Sequence, residues 1–222
     1  MSVSSSRHAS LIAATVGMLL ALSPAASAQT GTPPPSPALN ATITDPQPAL
    51  VNVTFTTSLG PVVIALEKER APKTVANFLR YVDGKRFDGI GFYRAFNYGA
   101  DGGVVQAGIR QTIKPLFPPV AHEPTSQTGL HHSAGTISMA RMAPGSAQAD
   151  FFILLSDIPA FDADPAAAGD NLGFAAFGHV VEGMDILKQV LAAPRSPTAG
   201  DGIMKGQMLD PPIKIISVRR TP

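Results

Sequence analysis

The spacing of short apolar runs constrains the fold of this chain more than any other feature of the sequence. Eight runs rich in β-branched and aromatic residues are too short for helices and are predicted as strands. They cover residues 51–55, 62–66, 92–95, 104–109, 136–139, 151–155, 174–181 and 213–218. The strands lie too close together for the helical crossovers of a parallel sheet. We therefore expect a mainly β protein with a closed eight-stranded antiparallel barrel.

Two α-helices are predicted to cap this barrel. The first begins at Pro72 and ends before Gly84, and its apolar residues repeat with the i, i+3, i+4, i+7 spacing of one helical face. The second carries an apolar stripe from Met184 to Leu191 and is ended by Pro194.

Three segments of different composition divide the chain. Residues 1–28 contain one basic residue, an apolar run over 11–22 and a small-residue pattern that ends at Ala28. This pattern predicts a secretory signal peptide cleaved after Ala28, and hence a periplasmic or secreted protein. The apolar run is about half the ~20 residues that a membrane span needs, so we expect no stable membrane anchor. Residues 29–48 are rich in proline and predict a disordered linker, and residues 49–222 have the length of one domain.

Charge and cysteine content exclude several classes of protein. The chain has 17 basic and 16 acidic residues, and one basic residue, Arg7, belongs to the predicted signal peptide. A mature chain of balanced charge is not expected to bind nucleic acid. The absence of cysteine excludes a disulfide framework. We expect a monomer that uses no cofactor and no metal ion.

The segment 135–155 contains a loop of small residues between two of the predicted strands. The small side chains are at Ala140, Ala143, Gly145, Ser146, Ala147 and Ala149. Such side chains leave main-chain groups open, as is needed to hold an extended peptide through its own backbone. The alternative is an ordinary loop between two core strands, and the segment alone does not decide between the two.

Five motifs in order, with sensible spacing, carry a resemblance to a known family. They are APKTVANFLRYV (71–82), FYR (92–94), VVQAG (104–108), ISMARMAPGSAQADFFI (137–153) and FGHVVEGMDIL (177–187). Taken together they resemble the cyclophilin family of peptidyl-prolyl cis/trans isomerases, over residues 51–218. The resemblance implies the eight-stranded barrel with two capping helices that the strand pattern also predicts.

The resemblance also implies roles for individual residues. Arg94 stands at the catalytic arginine of the family, and Gln106 at the glutamine that contacts substrate backbone and helps to place that arginine. Implied substrate-binding residues are Val104, Ala140, Arg141, Asp150, Phe152, Phe161 and Phe174. Phe152 matches the phenylalanine of the proline pocket, and Phe161 lies at or one place from the residue that closes it.

Several positions depart from the family pattern. Gly103 replaces a pocket phenylalanine, and about four extra residues separate Arg94 from Gln106. Arg141, Asp150 and Phe174 replace an asparagine, a glutamine and a histidine. The chain has no tryptophan, the residue typical of cyclosporin-sensitive members. If Asp150 lies near Arg94, the two opposite charges are expected to interact.

The chemistry implied by the resemblance needs few polar groups. Rotation about an X–Pro bond crosses a barrier of ~18–20 kcal/mol and breaks no σ bond. A donor aimed at the proline nitrogen binds the twisted amide better than either planar form. We therefore predict an isomerase that acts on proline-containing peptides and on unfolded exported proteins. The alternative is a non-catalytic, chaperone-like module that binds proline peptides on the same barrel, as the changes at Gly103 and in the loop would allow.

Other histidines and serines do not indicate a metal site or a hydrolase. The pairs His122-Glu123 and His131-His132 lack a third ligand at helical spacing, which argues against a metal site. His179 is predicted to be packed in a strand. Ser146 lacks the strand–turn–helix setting of a hydrolase nucleophile.

Overall fold

The computed structural model describes residues 49–100, 102–109 and 115–221. The strands are β1 (Leu50–Thr57), β2 (Gly60–Glu67), β3 (Gly91–Tyr98), β4 (Gly102–Gly108), β5 (Thr136–Met139), β6 (Phe151–Leu154), β7 (Ala175–Glu182) and β8 (Met208–Arg220). The helices are α1 (Pro72–Asp83), α2 (Thr125–Thr128) and α3 (Met184–Ala192), and 3-10 turns cover Pro159–Phe161 and Gly202–Met204. The predicted signal peptide, its cleavage site after Ala28 and the predicted linker lie outside the described residues.

The eight strands form one closed barrel in the order β1-β2-β7-β5-β6-β4-β3-β8, and all of the pairs are antiparallel. The predicted fold class is therefore confirmed. The segment between Arg94 and Gln106, in which the resemblance implies about four extra residues, forms the β3–β4 hairpin, and Gly99 lies in its turn with φ of 70°. The closing strand is longer than its apolar pattern predicted, because it starts at Met208 instead of residue 213.

Both predicted helices are present, and a third short one was not predicted. Helix α1 begins with proline at its first position, and the carboxylate of Glu123 accepts hydrogen bonds from the backbone N–H groups of Lys73 and Thr74 at 3.1 and 2.8 Å. These are first-turn N–H groups that no helical carbonyl can satisfy. Helix α2 has only four residues, too few to show a helical period in the sequence. The described residues contain no helix long and apolar enough to cross a membrane.

The core consists of apolar side chains inside the barrel and under α1. Its largest members are aromatic, and Phe78 of α1 packs against Phe55, Phe87, Phe151 and Phe177 with ring centroids 4.9–6.2 Å apart. Each aromatic pair adds about 0.5–1.5 kcal/mol to the free energy gained by burial alone. The helix therefore closes one part of the barrel with the same apolar face that its sequence period predicted.

A second apolar cluster lies apart from this core. It contains buried Val104, Phe152, Leu154 and Ile158, and Phe96, Ala140, Phe161 and Phe174 pack against it. Phe151 belongs to the core and Phe152 to the second cluster, because successive residues of a strand point to opposite faces. Strand β6 thus supplies both clusters from adjacent residues.

The strand register places polar residues beside this second cluster. Arg94 of β3 is opposite Gln106 of β4, Gln106 is opposite Phe152 of β6, and Phe152 is opposite Ser138 of β5. Residues directly opposite each other in antiparallel strands share a face of the sheet. A row of four side chains therefore crosses one face of the barrel, although the residues are distant in sequence.

Candidate active site

A groove of about 1420 Å³ lies over the second apolar cluster. All nine residues that the sequence predicted for the site line it: Arg94, Val104, Gln106, Ala140, Arg141, Asp150, Phe152, Phe161 and Phe174. The register described above explains why residues from the three strands β3, β4 and β6 meet here. Their individual roles in catalysis and in substrate binding stay predictions.

The guanidinium of Arg94 is held by two glutamine side chains. Arg94 Nη1 donates to Gln106 Oε1 at 2.9 Å, while Nε and Nη2 both donate to Gln207 Oε1, at 2.9 and 2.6 Å. The guanidinium carbon also lies 4.7 Å from the centre of the Phe96 ring. Burial lowers the pKa of Arg94 from its ordinary value, but a guanidinium keeps its charge at any physiological pH.

The sequence did not predict Gln207 or Phe96 as site residues. Gln207 is 113 positions from Arg94 and follows a glycine-rich turn, so no local pattern connects the two residues. Phe96 could have been found, because it lies two positions after Arg94 in a strand and therefore points to the same face.

Asp150 is connected to Arg94 indirectly. Gln106 Nε2 donates to the hydroxyl of Tyr93 at 2.7 Å, and that hydroxyl donates to Asp150 Oδ2 at 3.1 Å. Among the described residues, Arg94 forms no ion pair with a carboxylate. The expected contact between Asp150 and Arg94 is therefore wrong, because Tyr93 and Gln106 separate the two charges.

Three phenylalanine rings form the apolar part of the groove. Phe152, Phe161 and Phe174 contact one another pairwise, with ring centroids 5.1–5.6 Å apart and interplanar angles of 60–87°. Edge-to-face packing of this kind is favourable, because it places ring edges against ring faces. The result is an apolar pocket in the same groove as the cationic end of Arg94.

Gly103 does not leave a hole in this pocket. A Cβ atom at this position would clash with the carbonyl oxygen of Phe96 and lie 2.9 Å from Leu191 Cδ1 of α3, on the core side of β4. Phe96 instead contributes an aromatic ring to the cluster from β3, opposite Val104. The departure at Gly103 is thus accompanied by a phenylalanine on the neighbouring strand.

The loop after β5 is fixed by Arg141. Its guanidinium pairs with Asp170 at 2.6 and 2.9 Å and donates to the carbonyl of Gly173, next to the pocket residue Phe174. Burial of Ala147 and Ala149 shows that these small residues pack inward and do not open the loop backbone. Ala140 is half-buried at the groove, and its predicted main-chain contact with substrate stays a prediction.

A serine, a histidine and an aspartate form a hydrogen-bonded chain on the other side of Phe152. His132 Nδ1 lies 2.6 Å from Asp162 Oδ1, and His132 Nε2 lies 2.9 Å from Ser138 Oγ. Ser138 is 0% exposed and His132 is 1% exposed. A nucleophile must reach its substrate, so the burial of Ser138 excludes a hydrolase role for this chain of residues. The ring of His132 stacks on the ring of Phe152, so these three residues instead support the wall of the pocket.

Burial and hydrogen bonding set the charges of this second network. Burial lowers the pKa of His132 below 6.5, which favours neutral imidazole. For Asp162, burial acts to raise the pKa, but hydrogen bonds from His132 and His131 outweigh it and the pKa is lowered. The network therefore consists of a carboxylate and a neutral histidine near neutral pH.

The other histidines and the serine singled out in the sequence lie outside these two networks. Among the described residues, no group of three or more His, Cys, Asp or Glu side chains could hold a metal ion. His122 contacts the carbonyl of Leu172 at 3.1 Å, and the Ser146 hydroxyl donates to the carbonyl of Ala143. The prediction that His179 is packed was wrong, because its side chain is 46% exposed and lies 3.7 Å from Glu67.

The chain is similar to proteins of one known family. The family model described as cyclophilin type peptidyl-prolyl cis-trans isomerase/CLD matches residues 52–220. A peptidyl-prolyl cis-trans isomerase of Acinetobacter baylyi is 34% identical over 175 residues, which cover 77% of this chain and 87% of that relative. Peptidyl-prolyl cis-trans isomerase B of Escherichia coli is 35% identical over 143 residues, 62% of this chain and 82% of that relative.

Solved structures show the same fold. A crystal structure of a cyclophilin type peptidyl-prolyl cis-trans isomerase from Cryptosporidium parvum aligns with a TM-score of 0.59 and 18% identity, over 78% of this chain and 99% of that chain. A second structure, determined in the presence of the dipeptide Ala-Pro, aligns with a TM-score of 0.57 and 19% identity, over 77% and 99%. The family match spans nearly the whole barrel, and the chain belongs to the cyclophilin-type peptidyl-prolyl cis-trans isomerase family.

Proposed function

We propose that this isomerase accelerates rotation about X–Pro bonds in exported proteins while they fold, with Arg94 as the catalytic residue. The observation that carries the proposal is the position of the Arg94 guanidinium, which is half-buried in the groove that the aromatic pocket also lines. A proline ring in that pocket would bring its nitrogen towards a permanent cation. The family relationship supports the reaction, and the groove supports the roles of the individual residues.

The reaction follows from the electronic structure of the amide. Resonance between the carbonyl and the proline nitrogen sets the barrier, and the twisted amide at the top of that barrier has a lone pair on nitrogen. An N–H group of Arg94 donates to this lone pair only in the twisted state, so it stabilises the transition state more than either isomer. No nucleophile, base or cofactor takes part in this mechanism.

The three phenylalanines Phe152, Phe161 and Phe174 are assigned to the proline ring. Burial of about 100 Å² of the ring contributes only roughly 2.5 kcal/mol, so a single proline binds weakly and leaves quickly. Contacts with neighbouring residues of the client therefore add to the affinity. Val104 forms the floor of the pocket, and the backbone of Ala140 and Arg141 is assigned to the main chain of the client.

The rim of the groove supports unfolded chains as substrates. Met142 is 89% exposed and Ile203 is 87% exposed, and both line the groove. Large apolar side chains gain free energy when another apolar surface covers them, and unfolded proteins expose such surface throughout. A folded client would offer its prolines without this flanking apolar surface.

Measurement of exchange in a short Ala-Pro peptide tests the activity. In two-dimensional NMR exchange spectra, catalytic amounts of the protein are expected to produce cross-peaks between the cis and trans forms of the peptide. Changes in chemical shift without exchange cross-peaks would mean that the chain is a non-catalytic, chaperone-like module that binds proline peptides.

The location of the protein needs a separate test, because the case for export rests on residues 1–28 alone. We expect the mature protein in the periplasmic or secreted fraction of the source cell, with an N-terminus at Gln29 directly after Ala28. N-terminal sequencing of the protein recovered from each fraction provides the measurement. Full-length protein that begins at Met1 and stays in the cytoplasm would contradict export and leave the isomerase activity unaffected.

A further inference from the structure

The hydrogen bonds of Arg94 leave only part of its guanidinium open to a substrate. A guanidinium has five N–H groups in a rigid plane. The Nε–H, one N–H of Nη1 and one N–H of Nη2 are bound to glutamine oxygens. The remaining two N–H groups, one on each terminal nitrogen, are the donors that the catalytic step can use.

Gln207 is itself fixed at both its side chain and its backbone. Its Nε2 donates to the carbonyl of Ile203 at 2.7 Å, so its Oε1 has to face Arg94. Its own carbonyl accepts a hydrogen bond from the backbone of Ala95 at 2.9 Å, on the residue next to Arg94. These two hydrogen bonds restrain the side-chain oxygen of Gln207, and its bonds to Nε and Nη2 in turn hold the orientation of the guanidinium plane.

The two glutamines hold Arg94 without reducing its charge. An amide oxygen accepts a hydrogen bond but carries no net charge, whereas a carboxylate at the same place would cancel much of the field of the cation. Catalysis by a preorganised donor depends on that field in a site from which water is partly excluded. Two neutral acceptors thus combine fixed geometry with an uncompensated positive charge.

We infer that Gln207 is a positioning residue for the isomerase reaction, which together with Gln106 forms a neutral clamp around the Arg94 guanidinium. The inference rests on the proposed role of Arg94. Gln207 acts through Arg94 and does not contact the reacting amide, so its effect should fall on the transition state and not on substrate binding.

Two substitutions of Gln207 test this inference. Gln207→Met keeps the length of the side chain and removes the acceptor, and we expect kcat for an Ala-Pro peptide to fall about tenfold with KM nearly unchanged. Gln207→Glu keeps an acceptor but adds a negative charge, and we expect it also to be slower than the parent. Gln127→Ala removes an exposed glutamine of α2 outside the groove and serves as the matched control.

A double substitution separates positioning from a structural role. In an Arg94→Ala background, Gln207→Met is expected to have no further effect on kcat, because the residue through which it acts is gone. Thermal melting of each variant reports whether the barrel still folds. If Gln207→Met destabilises the barrel, Gln207→Glu and the double substitution are compared at a temperature where all of them are folded.

Several results would overturn the inference. These are a kcat for Gln207→Met within twofold of the parent, an effect confined to KM, and a further tenfold loss in the Arg94→Ala background. Full activity of Gln207→Glu would overturn the requirement for a neutral acceptor. Full activity of Arg94→Ala itself would instead overturn the proposed mechanism, so the two failures are distinguishable.

Discussion

Two polar networks lie on opposite sides of Phe152, and they differ in what they can do. The Arg94 network consists of Arg94, Gln106, Gln207 and Tyr93, and the His132 network of His132, Ser138 and Asp162. Gln106 and Ser138 are the direct cross-strand neighbours of Phe152 on either side. The His132 network has the residue types of a hydrolase, yet it is sealed. The Arg94 network has no serine or cysteine nucleophile, yet it opens into the groove. Residue types alone therefore do not make a site, because a substrate must also be able to reach them.

The largest expected effect separates the two networks by activity. Arg94→Ala removes the donor for the twisted amide, and we expect kcat/KM to fall about 100- to 1000-fold. The melting temperature should change little, because Arg94 is half-buried and its partners can bind water. Peptide exchange by NMR and thermal melting provide the two measurements. A folded Arg94→Ala protein with the activity of the parent would show that Arg94 is not the catalytic residue.

His132→Ala should show the opposite behaviour. The substitution leaves a buried hydroxyl and a carboxylate without their shared partner, and we expect the free energy of unfolding to fall by about 2 to 4 kcal/mol. The activity of the protein that remains folded should stay within a few-fold of the parent. Urea denaturation measures the free energy of unfolding. A stable variant with strongly reduced kcat would show that the His132 network takes part in the reaction.

The two networks should also respond differently to pH. Burial lowers the pKa of His132 from 6.5, so the unfolded state binds more protons than the folded state between the two pKa values. The stability contributed by neutral His132 is fully present above pH 6.5 and is lost as the pH falls through the folded pKa. Arg94 keeps its charge over this range, so activity per folded molecule should stay flat.

Urea unfolding at a series of pH values checks this prediction, with His132→Asn as the control that removes the titrating group. Stability of the parent that is constant between pH 7 and pH 5 would contradict it. Asp162 is expected to contribute only in stronger acid, because its pKa is lowered from 3.8.

A smaller effect is expected at the wall of the pocket. Arg141→Ala frees Asp170 and the carbonyl of Gly173, and thereby loosens the segment before Phe174. Asp170 is exposed, and exposed ion pairs contribute about 0–1 kcal/mol, so we expect KM to rise roughly two- to threefold with kcat unchanged. Steady-state kinetics on the Ala-Pro peptide measure KM and kcat separately. A change in kcat alone would place Arg141 with the Arg94 network instead.

The smallest effect is expected for Asp150→Asn. Asparagine keeps an oxygen that can accept from the Tyr93 hydroxyl, and two side chains separate Asp150 from Arg94. We therefore expect kcat/KM to stay within about twofold of the parent. A loss of tenfold or more would mean that the charge of Asp150 acts on Arg94 over this distance.

The barrel and most of the groove could be predicted because their signals are local. The eight strands are short apolar runs with turns between them, and Arg94, Gln106 and Phe152 each lie in a compact motif. The links between distant segments could not be predicted in this way. Gln207 reaches Arg94 across 113 positions, and His132 meets Asp162 across 30, from loops whose sequences show no period. The sequence argued against a metal site at His132 but named no partner for it, and only the fold shows that its partners are Ser138 and Asp162.

The closure of the barrel has a consequence for a protein that is proposed to act on unfolded chains. Every described strand has a neighbour on both sides, so the sheet offers no row of unpaired backbone groups to a client. An unfolded segment cannot extend this sheet as an additional strand and so cannot use it as a template for aggregation. Under the proposed function, a client would be held by the groove and not by the sheet, and it could leave after each rotation without breaking a row of backbone hydrogen bonds.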